Sequence, residues 1–200
     1  MPKGLSPRGG IDAKNDSCDQ AILDFSFKDI LLTDDILDVE PRVAKNSKLE
    51  KTAEGLVRTQ TVKLNNNGMT EMAGLDVTLE KVVESPEELT WLDLSFNDIA
   101  KIDPLLLKYT KLKVLYLHGN NITSINEVDK LAGLPSLISL TLHGNPVEDQ
   151  KGYRQSLVAK LPRLKKVDFS CITKSDRENA ATWERDYGKR RPPKKPKEDE

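Results

Sequence analysis

The sequence predicts an α/β solenoid, with a parallel sheet on its concave face and short helices or 3₁₀ turns on its convex face. Three observations carry that prediction. An apolar motif of fixed internal spacing recurs along the middle of the chain. Its copies end on asparagines, Asn67, Asn97, Asn120 and Asn145, which stand 30, 23 and 25 residues apart. Between copies, apolar residues take threefold spacing, as Leu131, Leu134 and Leu137 do, and Pro104 and Pro135 sit where no ladder bond is lost.

The copies align residue by residue. Leu89-x-x-Leu92-x-Leu94-x-x-Asn97-x-Ile99 is matched by Leu112-x-x-Leu115-x-Leu117-x-x-Asn120-x-Ile122 and by Leu137-x-x-Leu140-x-Leu142-x-x-Asn145-x-Val147. Upstream, Val62-x-Leu64-x-x-Asn67-x-Met69 is a weaker copy, with Thr59 in the first leucine's place. Downstream, Leu164-x-x-Val167-x-Phe169 begins a last one, in which Ile172 replaces the asparagine. A period of 20–29 residues with this pattern is the leucine-rich repeat signature. In x-L-x-L-x the leucines point to one side of a short strand and the intervening residues to the other. One such strand cannot bury its own apolar side, so copies must stack. An asparagine offers both donors and an acceptor to the buried backbone of the tight turn that follows. The four asparagines therefore read as a structural ladder.

The ends of a solenoid need cover. Residues 152–169 read as an amphipathic helix feeding the last strand, with Tyr153, Leu157, Val158 and Leu161 on its stripe. The organisation expected is a partly disordered or docking N-terminal arm over residues 1–48 and a repeat domain with its cap over 49–173. A terminal helix over 174–188, with Trp183 and Tyr187 on one face, and a basic, proline-rich tail over 189–200 complete it. Within the arm, residues 21–39 hold enough apolar residues to lie as a cap over Val62 and Leu64 or to dock a partner.

The 31 basic and 32 acidic residues nearly cancel, so overall charge selects neither nucleic acid nor membrane. Two cysteines, Cys18 and Cys171, are too few for a disulfide framework and fit a reducing compartment. No apolar run approaches the ~20 residues that span a bilayer, and the first residues show no secretory signal. A cytoplasmic location is expected. Outward positions gather Trp91, Asp93, Phe96, Tyr116, His118, Thr141 and His143 on the concave face. Aromatics are enriched at binding hot spots, which marks these residues as a protein-contacting set; the alternative is that Trp91 packs under the chain's own arm. His118 and His143 share one slot in neighbouring repeats, and the pattern provides neither further zinc ligands nor an orienting carboxylate in that row. No catalytic, metal or cofactor site is expected. Lys189, Arg190, Arg191, Lys194, Lys195 and Lys197 read first as a solvated, disordered tail; the alternative is a tether to an acidic polymer, tubulin or less favourably nucleic acid, that does not specify it.

Asn145-Pro146, Tyr153-Arg154, Leu161-Pro162-x-Leu164, Asp168, Thr173 and Arg177 resemble the cap of the short intracellular leucine-rich repeat proteins. That group includes phosphatase regulators and an axonemal dynein light chain. More narrowly, LDFSF at 23–27, LNNN at 64–67, DLSFNDI at 93–99, VLYLHGN at 114–120, LTLHGNP at 140–146 and KGYRQ at 151–155 resemble the leucine-rich repeat-containing protein 51 family, over about residues 23–183. The resemblance implies a non-enzymatic interaction scaffold, a component of a cilium- or flagellum-associated (axonemal) assembly within the microtubule cytoskeleton. The alternatives it leaves are a phosphatase-regulatory adaptor in cytosol or nucleus and, through the tail, a nucleic-acid-associated protein.

Overall fold

The structure is a computed structural model, and it describes residues 21–43 and 49–187 of the chain. Expectations for residues 1–20, 44–48 and 188–200, including the six tail cations, fall outside the described residues. Seven short strands form one sheet in sequence order. They are β1 (Ile22–Asp24), β2 (Thr61–Lys63), β3 (Trp91–Asp93), β4 (Val114–Tyr116), β5 (Ser139–Thr141), β6 (Lys166–Val167) and β7 (Ser170–Cys171). The first six run parallel, and β7 turns back antiparallel on β6. The convex return paths are 3₁₀ turns at Thr33–Leu37, Pro86–Glu88, Pro104–Lys108, Ile125–Leu131 and Pro146–Asp149, with the helices α1 (Leu75–Val82) and α2 (Tyr153–Lys160). A longer helix, α3 (Lys174–Tyr187), follows the sheet. No helix among the described residues is long and apolar enough to cross a membrane.

Register explains the burial. Leu23, Val62, Leu92, Leu115, Leu140 and Val167 lie opposite one another along the sheet, and all are fully buried. The next inward positions, Phe25, Leu64, Leu94, Leu117 and Leu142, form a second buried row. Behind them Ile99, Ile102, Leu106, Leu131 and Val147 close the core from the convex side.

Each asparagine stitches its own repeat to the one before it. The Asn120 side-chain amide donates to the carbonyls of Leu94 (2.9 Å) and Leu117 (3.0 Å), and its oxygen accepts from the Ile99 amide (3.0 Å). Asn97 and Asn145 make the same bonds one repeat away on either side. Asn67 donates to Phe25 and Leu64 and accepts from both Lys28 and Ile30. The asparagines thus bond backbone and not one another.

Two expectations change. Residues 21–39, read as a cap over Val62 and Leu64 or as a docking arm, do lie beside Val62, but as a strand of the sheet: β1 pairs with β2, and Leu23, Phe25 and Ile30 are core residues. That repeat carries Lys28 where an asparagine would stand, and Asn67 from the next repeat serves its amides. The segment 152–169 is helical only over Tyr153–Lys160; Pro162 follows, and the chain then enters β6. Gly152 begins α2 at φ 77°, and a Cβ there would fall 2.1 Å from the Trp183 ring, so this glycine also admits the α3 contact. Arg154 on α2 reaches Asp176 on α3 and the Cys171 carbonyl, while Thr173 and Asp176 form a capping box at the start of α3. The Arg154 guanidinium, together with bonds from Thr173, holds the Asp176 carboxyl well below the usual carboxylate range.

Asn120→Ala leaves the buried Ile99 amide unpaired, at roughly 1–3 kcal/mol, and leaves the Leu94 and Leu117 carbonyls with one asparagine donor each, Asn97 and Asn145, in place of two. The expected loss is at least about 2 kcal/mol by urea denaturation. Asn120→Asp replaces the donor with a third acceptor and is expected to be no better at pH 7.

Candidate protein-interaction site on the concave face

Parallel pairing brings the outward side chains of β3, β4 and β5, and of the residues just after them, into one cluster. Trp91 meets Tyr116 edge-on, with ring centroids 5.6 Å apart. Tyr116 approaches His118 at 5.9 Å, and Phe96 approaches His118 at 5.0 Å, both edge-on. His118 and His143 stack in parallel, 4.8 Å apart and 7° from coplanar orientation. The Lys63 ammonium lies 5.8 Å from the Trp91 ring centre.

The residues before each asparagine set this geometry. Asn66, Phe96, Gly119 and Gly144 all occupy the left-handed region, at φ 57°, 52°, 65° and 69°. Glycine adopts that conformation freely and phenylalanine does not. Gly119 is needed for a second reason: a Cβ there would lie 2.7 Å from the Phe96 ring. The ring therefore rests over a bare backbone.

Phe169 belongs to this cluster although its spacing places it in the inward row. It is 57 % exposed and packs edge-on against Tyr116 at 5.3 Å and against His118 and His143 at 5.6 Å. The cause is the turn between β6 and β7. Asp168 and Phe169 have φ 50° and 61°, the sign a two-residue type I′ hairpin needs at both central positions. Ile172 in the asparagine's place was the available signal, because a copy without the asparagine need not continue inward.

Asp168, the other central residue of that turn, is tied to the backbone just after β5 and to α2. One carboxylate oxygen accepts from the amides of Leu142 (2.7 Å) and His143 (3.0 Å) and lies 3.3 Å from His143 Nδ1; the other accepts from the Tyr153 hydroxyl at 2.9 Å. Burial and the Asp168 charge push the Tyr153 phenol far up. Two further corrections concern the expected contact set. Thr141 is fully buried, its hydroxyl 2.8 Å from His118 Nδ1, and Asp93 is 9 % exposed with its carboxylate bonded by the Ser95 amide and hydroxyl. Both support the patch from beneath. The surface available to a partner is formed by Trp91, Phe96, Tyr116, His118, His143 and Phe169.

Burial, then the neighbouring His143, lowers the His118 pKa below its ordinary 6.5, against the opposing pull of Asp93 and Asp168. Burial also raises the Tyr116 phenol. Because His118 has the lower value when folded, the unfolded chain takes up the proton first as pH falls. The contribution of neutral His118 is complete above 6.5 and is lost as pH falls through and below that value. Stability against urea is therefore expected to drop below pH 6.5 in the native chain and to drop less in His118→Gln, measured side by side.

The family model described as leucine-rich repeat matches residues 87–191. Leucine-rich repeat-containing protein 51 of Bos taurus is 46 % identical over 171 residues, covering 86 % of this chain and 88 % of that protein. The Homo sapiens protein of that name is 45 % identical over 174 residues, covering 87 % and 90 %. Among solved structures, a chain of the Drosophila melanogaster SNF/U2A′ complex superimposes with a TM-score of 0.55 at 27 % identity, covering 64 % of this chain and 69 % of that one. With its stacked parallel strands and repeat cap, the chain belongs to the leucine-rich repeat-containing protein 51 family.

Proposed function

We propose that this leucine-rich repeat protein is a non-enzymatic adaptor that captures a protein partner on the concave aromatic patch. The observation that carries the reading is the pair Phe96 and Phe169. Both are more than half exposed, and both are held at positive φ, where a bulky side chain is strained. Exposed aromatic rings on a rigid sheet are the composition of a binding hot spot. Stability alone would be served by glycine at either position. The sheet presents the rings without the ordering cost that a mobile loop would incur on binding.

The setting proposed is a cilium- or flagellum-associated, axonemal assembly in the cytoplasm, on the strength of the family resemblance in the repeat loops and the cap. The basic tail, Lys189 to Lys197, supports an added electrostatic tether to an acidic surface such as that of tubulin.

Photo-crosslinking from position 116 in ciliated cells, read by mass spectrometry, tests both parts. Crosslinks to axonemal proteins are expected, and recovery of nuclear or membrane proteins alone would defeat the setting. Against the recovered partner, Trp91→Ala is expected to weaken binding by roughly 2 kcal/mol. Phe169→Gly is expected to weaken binding about tenfold while stability changes by less than about 1 kcal/mol, because glycine relieves the left-handed φ. Undiminished binding by both variants would remove the patch from the interface.

A further inference from the structure

The two ends of the solenoid are finished differently. At the C-terminal end β7 folds back on β6, α3 docks against α2, and carboxylates take up the last outward amides of the ladder. Asp168 accepts from Leu142 and His143, and Glu148 accepts from Gly144. At the N-terminal end, the outer edge of β1 meets the rest of the described chain at one isolated bridge, where the Arg42 amide donates to the Asp24 carbonyl at 2.6 Å.

Terminal repeats ordinarily carry a polar outer face. This one does the reverse. Of the eleven large apolar side chains exposed among the described residues, six lie in this first repeat: Ile22, Phe27, Leu31, Leu32, Leu37 and Val43. Phe27, Leu31 and Leu32 are each about 60 % exposed or more. They are also held in place. One Asp35 oxygen accepts from the amides of both Leu31 (2.9 Å) and Leu32 (2.8 Å), and the Arg42 guanidinium lies 5.4 Å from the Phe27 ring centre. Leu31 lies over Gly68, where a Cβ would come within 2.7 Å of it. Exposed acids stand in the same segment, Asp29, Asp34, Asp38 and Glu40, against two cations, Lys28 and Arg42.

We propose that this N-terminal end is a second docking surface, centred on the first repeat two repeats before Phe96, and that it takes a basic amphipathic segment of another protein. The partner's apolar residues cover Phe27, Leu31 and Leu32, and its lysines and arginines meet the acids. Charge separates this occupant from the others. Residues 1–20 carry three cations and three acids, so they offer no excess charge to answer the acids. The chain's own basic tail has cations but no large apolar residue from Gly188 to Lys197. A second copy meeting end to end would set the same acids against one another.

The test pans a phage library of random 16-residue peptides against the full-length chain. Selected peptides are then measured against two variants, Phe27→Ser with Leu32→Ser, and Asp38→Lys with Glu40→Lys. All four positions are exposed, and unchanged thermal melts confirm that both variants fold; if the first does not, the charge variant carries the comparison. Peptides that depend on Phe27 and Leu32 are expected to carry excess Lys and Arg among Leu, Ile or Phe. They should bind at least tenfold more weakly to either variant, lose affinity as salt rises, and bind Phe169→Gly normally. The proposal is overturned if no selected peptide depends on these residues, or if those that do are neutral or acidic. It is equally overturned if binding emerges only after residues 1–20 are removed, or if sedimentation equilibrium finds a dimer that the variants abolish.

Discussion

Each turn of this solenoid creates the same difficulty. As the chain leaves its strand, two carbonyls from successive repeats and an amide from the earlier repeat point into an apolar interior, where unpaired groups are costly. The asparagine side chain answers all three at once, because its NH₂ and its oxygen project in different directions from one planar group. Asn97, Asn120 and Asn145 sit at 6 %, 5 % and 3 % exposure, so water does not share the task. The leucine rows supply the driving force for stacking, but apolar contact is non-directional. The asparagine bonds select one spacing and one register from the many that leucines alone would tolerate.

From that constraint the shape of the concave face follows. Satisfying the turn requires a left-handed residue just before the asparagine, and the same backbone course appears whether the residue is Asn66, Phe96, Gly119 or Gly144. The outward strand positions are then fixed in rows, and the neighbouring repeats bring Trp91 to Tyr116 and His118 to His143. The aromatic patch is a by-product of the stitching in its geometry, though not in its chemistry. Nothing in the ladder demands rings at those positions.

The inward rows and the asparagines were legible in the sequence because they repeat, and repetition survives without knowledge of the fold. Aromatic clustering was legible for the same reason, since Trp91, Phe96, Tyr116 and the two histidines fall on regular copies. The larger failures lie where the repeat ends. Phe169 and Asp168 obey the spacing up to Val167 and then enter a hairpin, a choice made by tertiary packing against Tyr153 and the histidines. β1 was obscured because its repeat has Lys28 in the asparagine's place and draws on Asn67, a bond between residues 37 to 39 positions apart. Thr141 and Asp93 were placed on the correct side of the strand, but burial on that side depends on their neighbours. His118 lies against one, and Ser95 bonds the other.

The left-handed position before the asparagine has a consequence for how such a surface can diversify. It acts as a socket that recurs once per repeat, about 4.8 Å from the next, on a backbone whose course the core has already decided. Exchanging its occupant redraws the relief of the recognition face while leaving the leucine interior alone. At the Phe96 socket the exchange is coupled to its successor, because a Cβ at Gly119 would collide with the ring; the first repeat's socket holds Phe27 at φ 57°, followed in the next repeat by Asn66, so the coupling is particular to the Phe96–Gly119 pair. Most sockets are thus open to independent change, whereas positions 96 and 119 must change together, and covariation between those two is the trace that rewriting this part of the face would leave.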